Sequence, residues 1–292
     1  MENPSREFRS ALLGGIPLWG PLRATFRLLV AFVWILSCYI VLRVLSIALI
    51  PFPESRYRAR HHMNKVWVRG MRYIIGMRIK MFGEMPPHPY FIVCNHIAWG
   101  DYFLMSNVQD QCTYVLQAED EHLPIAGALM SANDPIFNVR TREGVPVTVA
   151  KMVDLFQRQK LSLTLTPEGV VGPGKIVRRF HAALLEAAVQ AQKPVHYCSI
   201  TCRTPEGCPP ASKTVIFGPD PYFLGPDGKI PQSEIDAWGP ERSFFTHLLG
   251  VLCLPWHEFI VRVAPEPISG TDRVILANQL HDAVQDIFVP VE

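Results

Sequence analysis

Tyr90-Phe91-Ile92-Val93-Cys94-Asn95-His96-Ile97-Ala98-Trp99-Gly100-Asp101 decides how this chain folds. The stretch opens on an unbroken apolar run, bounded upstream by Pro86-Pro87-His88-Pro89, the pattern of a fully buried strand. Past Asp101, the residues Tyr102, Phe103, Leu104 and Met105 read as the start of a helix. His96 therefore falls in a strand-to-helix loop, where α/β proteins place their chemistry. Asp101 can accept the imidazole Nδ1–H, fix the tautomer and leave Nε2 to take a proton. By itself the His-x-x-x-x-Asp spacing is a weak signal, and Asp101 would serve equally as a helix N-cap.

Working outward, the same alternation continues. Residues 56–80 read as a basic amphipathic helix with Trp67, Met71 and Ile74-Ile75 on its apolar stripe, giving way to a strand near 78–82. Further strands are expected at 113–118, 136–139, 161–165, 195–202, 214–217 and 258–263. Helices are expected at 102–108, 123–130, 147–159, 180–190, 243–254 and 272–288. Strands alternating with helices specify an α/β fold, a central mixed sheet flanked by helices. The Pro- and Gly-rich stretch 203–240 reads as loops that wrap the sheet edge. There is no internal repeat.

Two blocks lie in register with the His96 loop. The strand-like run Leu161-Ser162-Leu163-Thr164-Leu165 ends in Thr166-Pro167-Glu168-Gly169, and Phe137-Asn138-Val139-Arg140 lies between. Later, Lys193-Pro194-Val195 opens another apolar run.

In this order and spacing, the four blocks resemble those of the glycerolipid acyltransferase family, which includes the lysophosphatidic-acid acyltransferases. The likeness covers roughly residues 56 to 205 well. It implies that His96 is the general base that deprotonates a glycerolipid hydroxyl, with Asp101 orienting it. The resemblance also implies that Arg140 engages the acceptor's phosphate, and that Asn95, Phe137, Glu168 and Gly169 line the acceptor site. A guanidinium suits phosphate because its fork bonds two oxygens at once. The co-substrate implied is acyl-CoA or acyl-carrier protein, with no metal and no organic cofactor, because the thioester is already activated. The acceptor implied is a lysolipid, 1-acyl-sn-glycerol-3-phosphate first.

The chain departs from the family pattern after the Pro-Glu-Gly block. Val170 and Val171 stand where Thr and often Arg are usual, and Gln117-Ala118-Glu119-Asp120 is acidic where relatives often carry a lysine. Lys175, Arg178 and Arg179 follow closely as substitute cations, Lys175 first. These departures raise an alternative acceptor, a lyso-aminolipid such as lyso-ornithine lipid. A different-class alternative is a non-catalytic lipid-binding protein that kept the fold.

Other chemistries fit less well. Gly169-Val-Val-Gly-Pro-Gly174-Lys175 matches the start of a phosphate-binding loop, but Ile176 stands where a hydroxyl must hold magnesium, and Pro173 lacks an N–H. No serine sits in a G-x-S-x-G elbow. Cys198, Cys202 and Cys208 are too irregular for a zinc site, and the neighbours His61 and His62 point to different sides of a helix.

Composition agrees with a lipid substrate. Of 292 residues, 49% are apolar and 18% charged, and the net charge of +2 gives no global support for a nucleic-acid partner. From Leu28 to Leu42 there is no charge, and the apolar character resumes after Arg43 as far as Ile50. As one helix, 28–50 would span about 34 Å at about 1.5 Å per residue, close to a bilayer core. A spanning helix, a helix lying in one leaflet and a buried soluble helix all compete. Arg56, Arg58, Arg60, Lys65, Arg69, Arg72, Arg78 and Lys80 follow, outweighing Arg6, Arg9, Arg23 and Arg27 before it. Such a flank is drawn to anionic head groups and favours a catalytic domain facing the cytoplasm. Seven cysteines without framework spacing argue for reduced thiols and the same side. The expected organisation is a membrane-anchoring segment, 1–55, and a catalytic domain, 56–292, on an inner, plasma or endoplasmic-reticulum-type membrane.

Overall fold

A computed structural model describes residues 19–139, 141–158, 161–217, 232–233 and 244–292. Two helices open this part of the chain, α1 (Trp19–Ala48) and α2 (Pro53–Ile74). Then follow β1 (Met77–Phe82), β2 (Phe91–Cys94), α3 (Asp101–Val108), β3 (Cys112–Gln117), α4 (Ala126–Ser131), β4 (Ile136–Asn138), α5 (Gly144–Arg158) and β5 (Ser162–Leu165). The rest comprises α6 (Glu186–Gln190), β6 (Val195–Arg203), α7 (Ala211–Thr214), α8 (Phe244–Cys253), β7 (His257–Val263) and α9 (Arg273–Ile287).

The strands form one mixed sheet in the order β1-β7-β6-β2-β5-β3-β4. The pairs are parallel except β6 with β7, which is antiparallel. β2 lies at the centre, and Phe91, Ile92, Val93 and Cys94 are all fully buried. Its side chains alternate between two cores. Ile92 and Cys94 join a core with Trp67, Met71, Leu104, Met105, Ile200 and Phe259. Phe91 and Val93 join a core on the opposite face with Met152, Phe156, Leu163, Leu185, Leu276 and Leu280. A strand buried on both faces must read as a continuous apolar run, which is why 90–94 shows no polar alternation.

Helix α1 starts nine residues before the expected 28–50. Arg23 and Arg27 are inside it, because their guanidinium groups are taken up by main-chain carbonyls of residues 252–255 and need no water. The helix buries a narrow stripe, Ala24, Ala31, Cys38 and Leu42, at spacings of whole turns. Most of its large apolar side chains are exposed, among them Phe26, Leu29, Phe32, Val33 and Val44. That exposure excludes a buried soluble helix. α1 is 30 residues long and apolar enough to cross a membrane.

Two expected elements differ. Residues 214–217 form no strand: Ala211–Thr214 is a helical turn whose Ala211 carbonyl receives the Val215 and Ile216 amides. Those two apolar side chains are buried without any ladder partner. The helix expected at 180–190 shrinks to a 3-10 turn at Ala183–Leu185 followed by the short α6. The expectation for 203–240 falls largely outside the described residues.

Candidate active site

β2 and β5 are parallel neighbours, so the segments leaving their C-terminal ends emerge on one edge of the sheet. This crevice is where open α/β sheets bind ligands. It brings the His96 loop against the Pro-Glu-Gly block. His96 N–H donates to Glu168 Oε1 at 2.8 Å, and Gly172 N–H donates to the His96 carbonyl at 2.6 Å.

His96 and Asp101 face each other. The Nδ1–H of His96 donates to Asp101 Oδ2 at 2.7 Å. The same oxygen accepts the Ile97 and Ala98 amides at 2.8 and 3.1 Å. Asp101 is the first residue of α3, and its own N–H closes a turn on the Ala98 carbonyl at 3.0 Å. The loop is thus wound around one carboxylate oxygen. The His96 side chain is 23% exposed and that of Asp101 only 4%, so a reachable imidazole is held by a sealed acid. Such a pair can take a proton at Nε2 and stabilise the resulting imidazolium.

The structure places the other expected site residues as follows. Asn95, expected at the substrate, is buried and turned into the sheet. Its Nδ2–H donates to the Ile200 carbonyl at 2.8 Å, and its Oδ1 accepts the Ile200 N–H at 2.7 Å. Glu168 is 2% exposed. Its two oxygens accept main-chain amides, His96 N–H and Arg178 N–H (3.1 Å), because the carboxylate lies between the two loops. It therefore braces His96 from below and presents no open face. Burial pushes its carboxyl up to about 8, against the opposing pull of those amides and of the His96 and Arg178 charges. Gly169 has φ +72°, and a Cβ there would meet the His181 ring at 3.3 Å.

Phe137 sits half-buried in β4 at the sheet edge, three strand spacings or about 14 Å from β2. Lys175 is exposed beyond the turn. Arg140 lies outside the described residues. Val170 and Val171 are buried at 9% and 8%, so neither adds a polar group to the crevice. The segment 169–174 is no phosphate cradle: Gly172 donates to His96, and Gly174 packs on Ile216 and Val291.

Two connections have no local sequence signal. Trp99 Nε1–H donates to His247 Nε2 at 2.8 Å across 148 positions, and Asn95 reaches Ile200 across 105. Burial of an Asn and a His in apolar surroundings is the one sequence-level hint of such partners.

Residues 78–201 match the acyltransferase family model. The Pseudomonas aeruginosa lyso-ornithine lipid O-acyltransferase is 25% identical over 226 residues, 77% of this chain and 78% of that protein. The 1-acyl-sn-glycerol-3-phosphate acyltransferase of Neisseria meningitidis serogroup B is 25% identical over 142 residues, 48% of this chain and 53% of that protein. The crystal structure of the 1-acyl-sn-glycerophosphate (LPA) acyltransferase from Thermotoga maritima matches with a TM-score of 0.57 at 15% identity, covering 91% of this chain and 95% of that one. At that identity the likeness is one of fold. The His96 loop, the Glu168 block and Asn95 all lie inside the residues that match the family model.

Proposed function

We propose that the chain is a membrane-associated O-acyltransferase that moves a fatty acyl group from acyl-CoA or acyl-carrier protein to the free hydroxyl of a lysolipid. The observation that carries this reading is the 2.7 Å contact of His96 with Asp101 inside the residues that match the acyltransferase family model. His96 Nε2 takes the hydroxyl proton as the oxygen attacks the thioester carbonyl. That attack forms the ester C–O bond; the tetrahedral adduct then collapses, re-forming the carbonyl C=O as the C–S bond breaks, and the imidazolium proton goes to the departing thiolate. Asp101 keeps the tautomer and balances the transient imidazolium. General-base catalysis of this kind contributes about 10²–10⁴-fold. No metal or organic cofactor enters these steps.

Residues 1–55 serve as the anchoring segment and 56–292 as the catalytic unit. The buried stripe of α1 lies against α2 and α8, which fits a helix presenting its exposed apolar side to one leaflet.

Two acceptor readings stand. A 1-acyl-sn-glycerol-3-phosphate acceptor is supported by the Neisseria relative, with Arg140 and Lys175 as the phosphate cations. A lyso-aminolipid acceptor is supported by the longer Pseudomonas match and by the burial of Val171 where relatives often place an arginine. Purified protein incubated with labelled acyl-CoA or acyl-carrier protein and a panel of both lysolipids separates them by product. Loss of acceptor affinity for the phosphate lipid in Arg140→Ala or Lys175→Ala would assign those cations. Full turnover by His96→Ala would overturn the mechanism, and lipid binding with no turnover on any donor would make the chain a binding protein.

A further inference from the structure

We propose that His247 is a positioning residue for acyl transfer, holding the His96–Asp101 loop through the indole of Trp99; the proposal rests on the reading of His96 as the base. Between His96 and Asp101, the main-chain amides of Ile97 and Ala98 turn inward to the carboxylate. Ile97 and Ala98 are buried in the core, and Trp99 is the loop residue whose side chain makes a hydrogen bond to α8. Its indole stands edge-on to Phe103 (5.9 Å between centroids, 90°), Phe244 (5.9 Å, 70°) and His247 (6.4 Å, 89°).

The polar link fixes the chemistry of both partners. An indole N–H only donates, so His247 Nε2 must offer its lone pair. The 2.8 Å bond therefore specifies a neutral His247 with its proton on Nδ1. His247 is 4% exposed in α8, a helix whose other residues are apolar or small apart from Thr246. Burying an imidazole there costs free energy that an apolar side chain would not, and the indole bond offsets that cost.

Helix α8 is fixed at its other end as well. Arg23 donates to the Cys253 carbonyl, and Arg27 to those of Leu252, Leu254 and Pro255, at 2.7 to 3.0 Å. One short helix thus joins the apolar helix α1 to the loop that carries the base. A shift of α8 would be felt at Trp99, and a displacement of about 1 Å at a catalytic group can cost about 10²-fold in rate.

The test compares His247→Leu, His247→Gln, Trp99→Phe and the His247→Leu/Trp99→Phe pair, with His96→Ala as the control. Loss of the bond should lower kcat by about 10- to 100-fold in His247→Leu and in Trp99→Phe, with KM within about twofold. The Gln amide oxygen can accept the indole N–H, so His247→Gln should recover most of kcat. The double variant should be no worse than either single one. The Trp99 indole N–H resonance, identified by its absence from Trp99→Phe, should shift in His247→Leu and return in His247→Gln. Additive losses, wild-type kcat in Trp99→Phe, or Gln behaving like Leu would overturn the proposal. If His247→Leu does not fold, Trp99→Phe, which keeps the ring contacts, decides alone. Turnover by His96→Ala would instead sink the reading of the base, whatever the His247 variants do.

Discussion

The side-chain amide of Asn95 pairs with both the N–H and the C=O of Ile200, prolonging the β2–β6 ladder by one step after the β2 backbone has left it. The next residue is His96. The chain thus leaves the sheet at a fixed point, and the direction in which His96 departs is set by a side chain buried against β6. Asn95→Ala would leave a buried N–H and C=O on Ile200 unpaired, each costing about 1–3 kcal/mol. We expect a loss of roughly 2–6 kcal/mol on that basis. Denaturant titration in detergent checks it: an unchanged midpoint would mean that water or a neighbour replaces the amide.

Asp101→Asn separates orientation from charge. The amide oxygen can still accept the Ile97 and Ala98 amides, so the loop should hold its shape. What is lost is the negative charge beside the imidazolium. On the general-base reading, kcat should fall by about 10²–10⁴-fold with little change in KM. Steady-state kinetics with a saturating thioester donor measures this, and a rise in KM alone would assign Asp101 to binding.

The fold was legible where burial is two-sided or strictly periodic. Phe91–Cys94 is buried on both faces and so appears as an uninterrupted apolar run, and the His96–Asp101 pair is local enough to be read from spacing. Reading failed where a distant partner decides. Val215 and Ile216 have strand-like composition, yet Ile216 is captured beside Gly174 and the backbone turns. Between Val177 and Phe180 the chain packs on α9, with Val177 N–H donating to Gln285 Oε1, which delays and shortens the expected helix. Glu168 and Asn95 were expected to line the acceptor site, and their bracing role was not legible, because the main-chain groups they bind belong to other strands and loops.

Arg27 sits in an apolar helix with its guanidinium over Gly76, whose φ of +72° and missing Cβ leave room for it. It satisfies the Leu252 carbonyl in the last turn of α8, a group that a helix end otherwise leaves to water, and the Leu254 and Pro255 carbonyls just past it. Arg27→Leu would keep the apolar length of α1 and strand those carbonyls. A destabilisation on the order of 3 kcal/mol is expected from the loss of hydrogen bonds to a charged donor. Thermal melting in detergent would show it, and an unaltered melting temperature would mean that α1 and α8 are held by packing alone.

Glu168 makes stability depend on pH in a defined window. Its carboxyl is raised by burial from 4.5 to about 8 in the folded protein. Between these values the unfolded chain is ionised and the folded one still protonated. Folding therefore binds a proton, and stability falls as pH rises, by up to about 1.4 kcal/mol per pH unit. His257 works in the other direction: burial lowers it from 6.5 to about 3, so its contribution is complete above 6.5 and lost as pH falls toward 3. The two oppose each other below 6.5, and from 6.5 to 8 the Glu168 effect acts without that opposition. Glu168→Gln should lower stability overall, since its NH₂ must face one of the two donating amides. It should also flatten the pH dependence from 6.5 to 8. Denaturation midpoints of both proteins at pH 6.5, 7.25 and 8 test this, and parallel slopes would mean that Glu168 is ionised in the folded protein across that range.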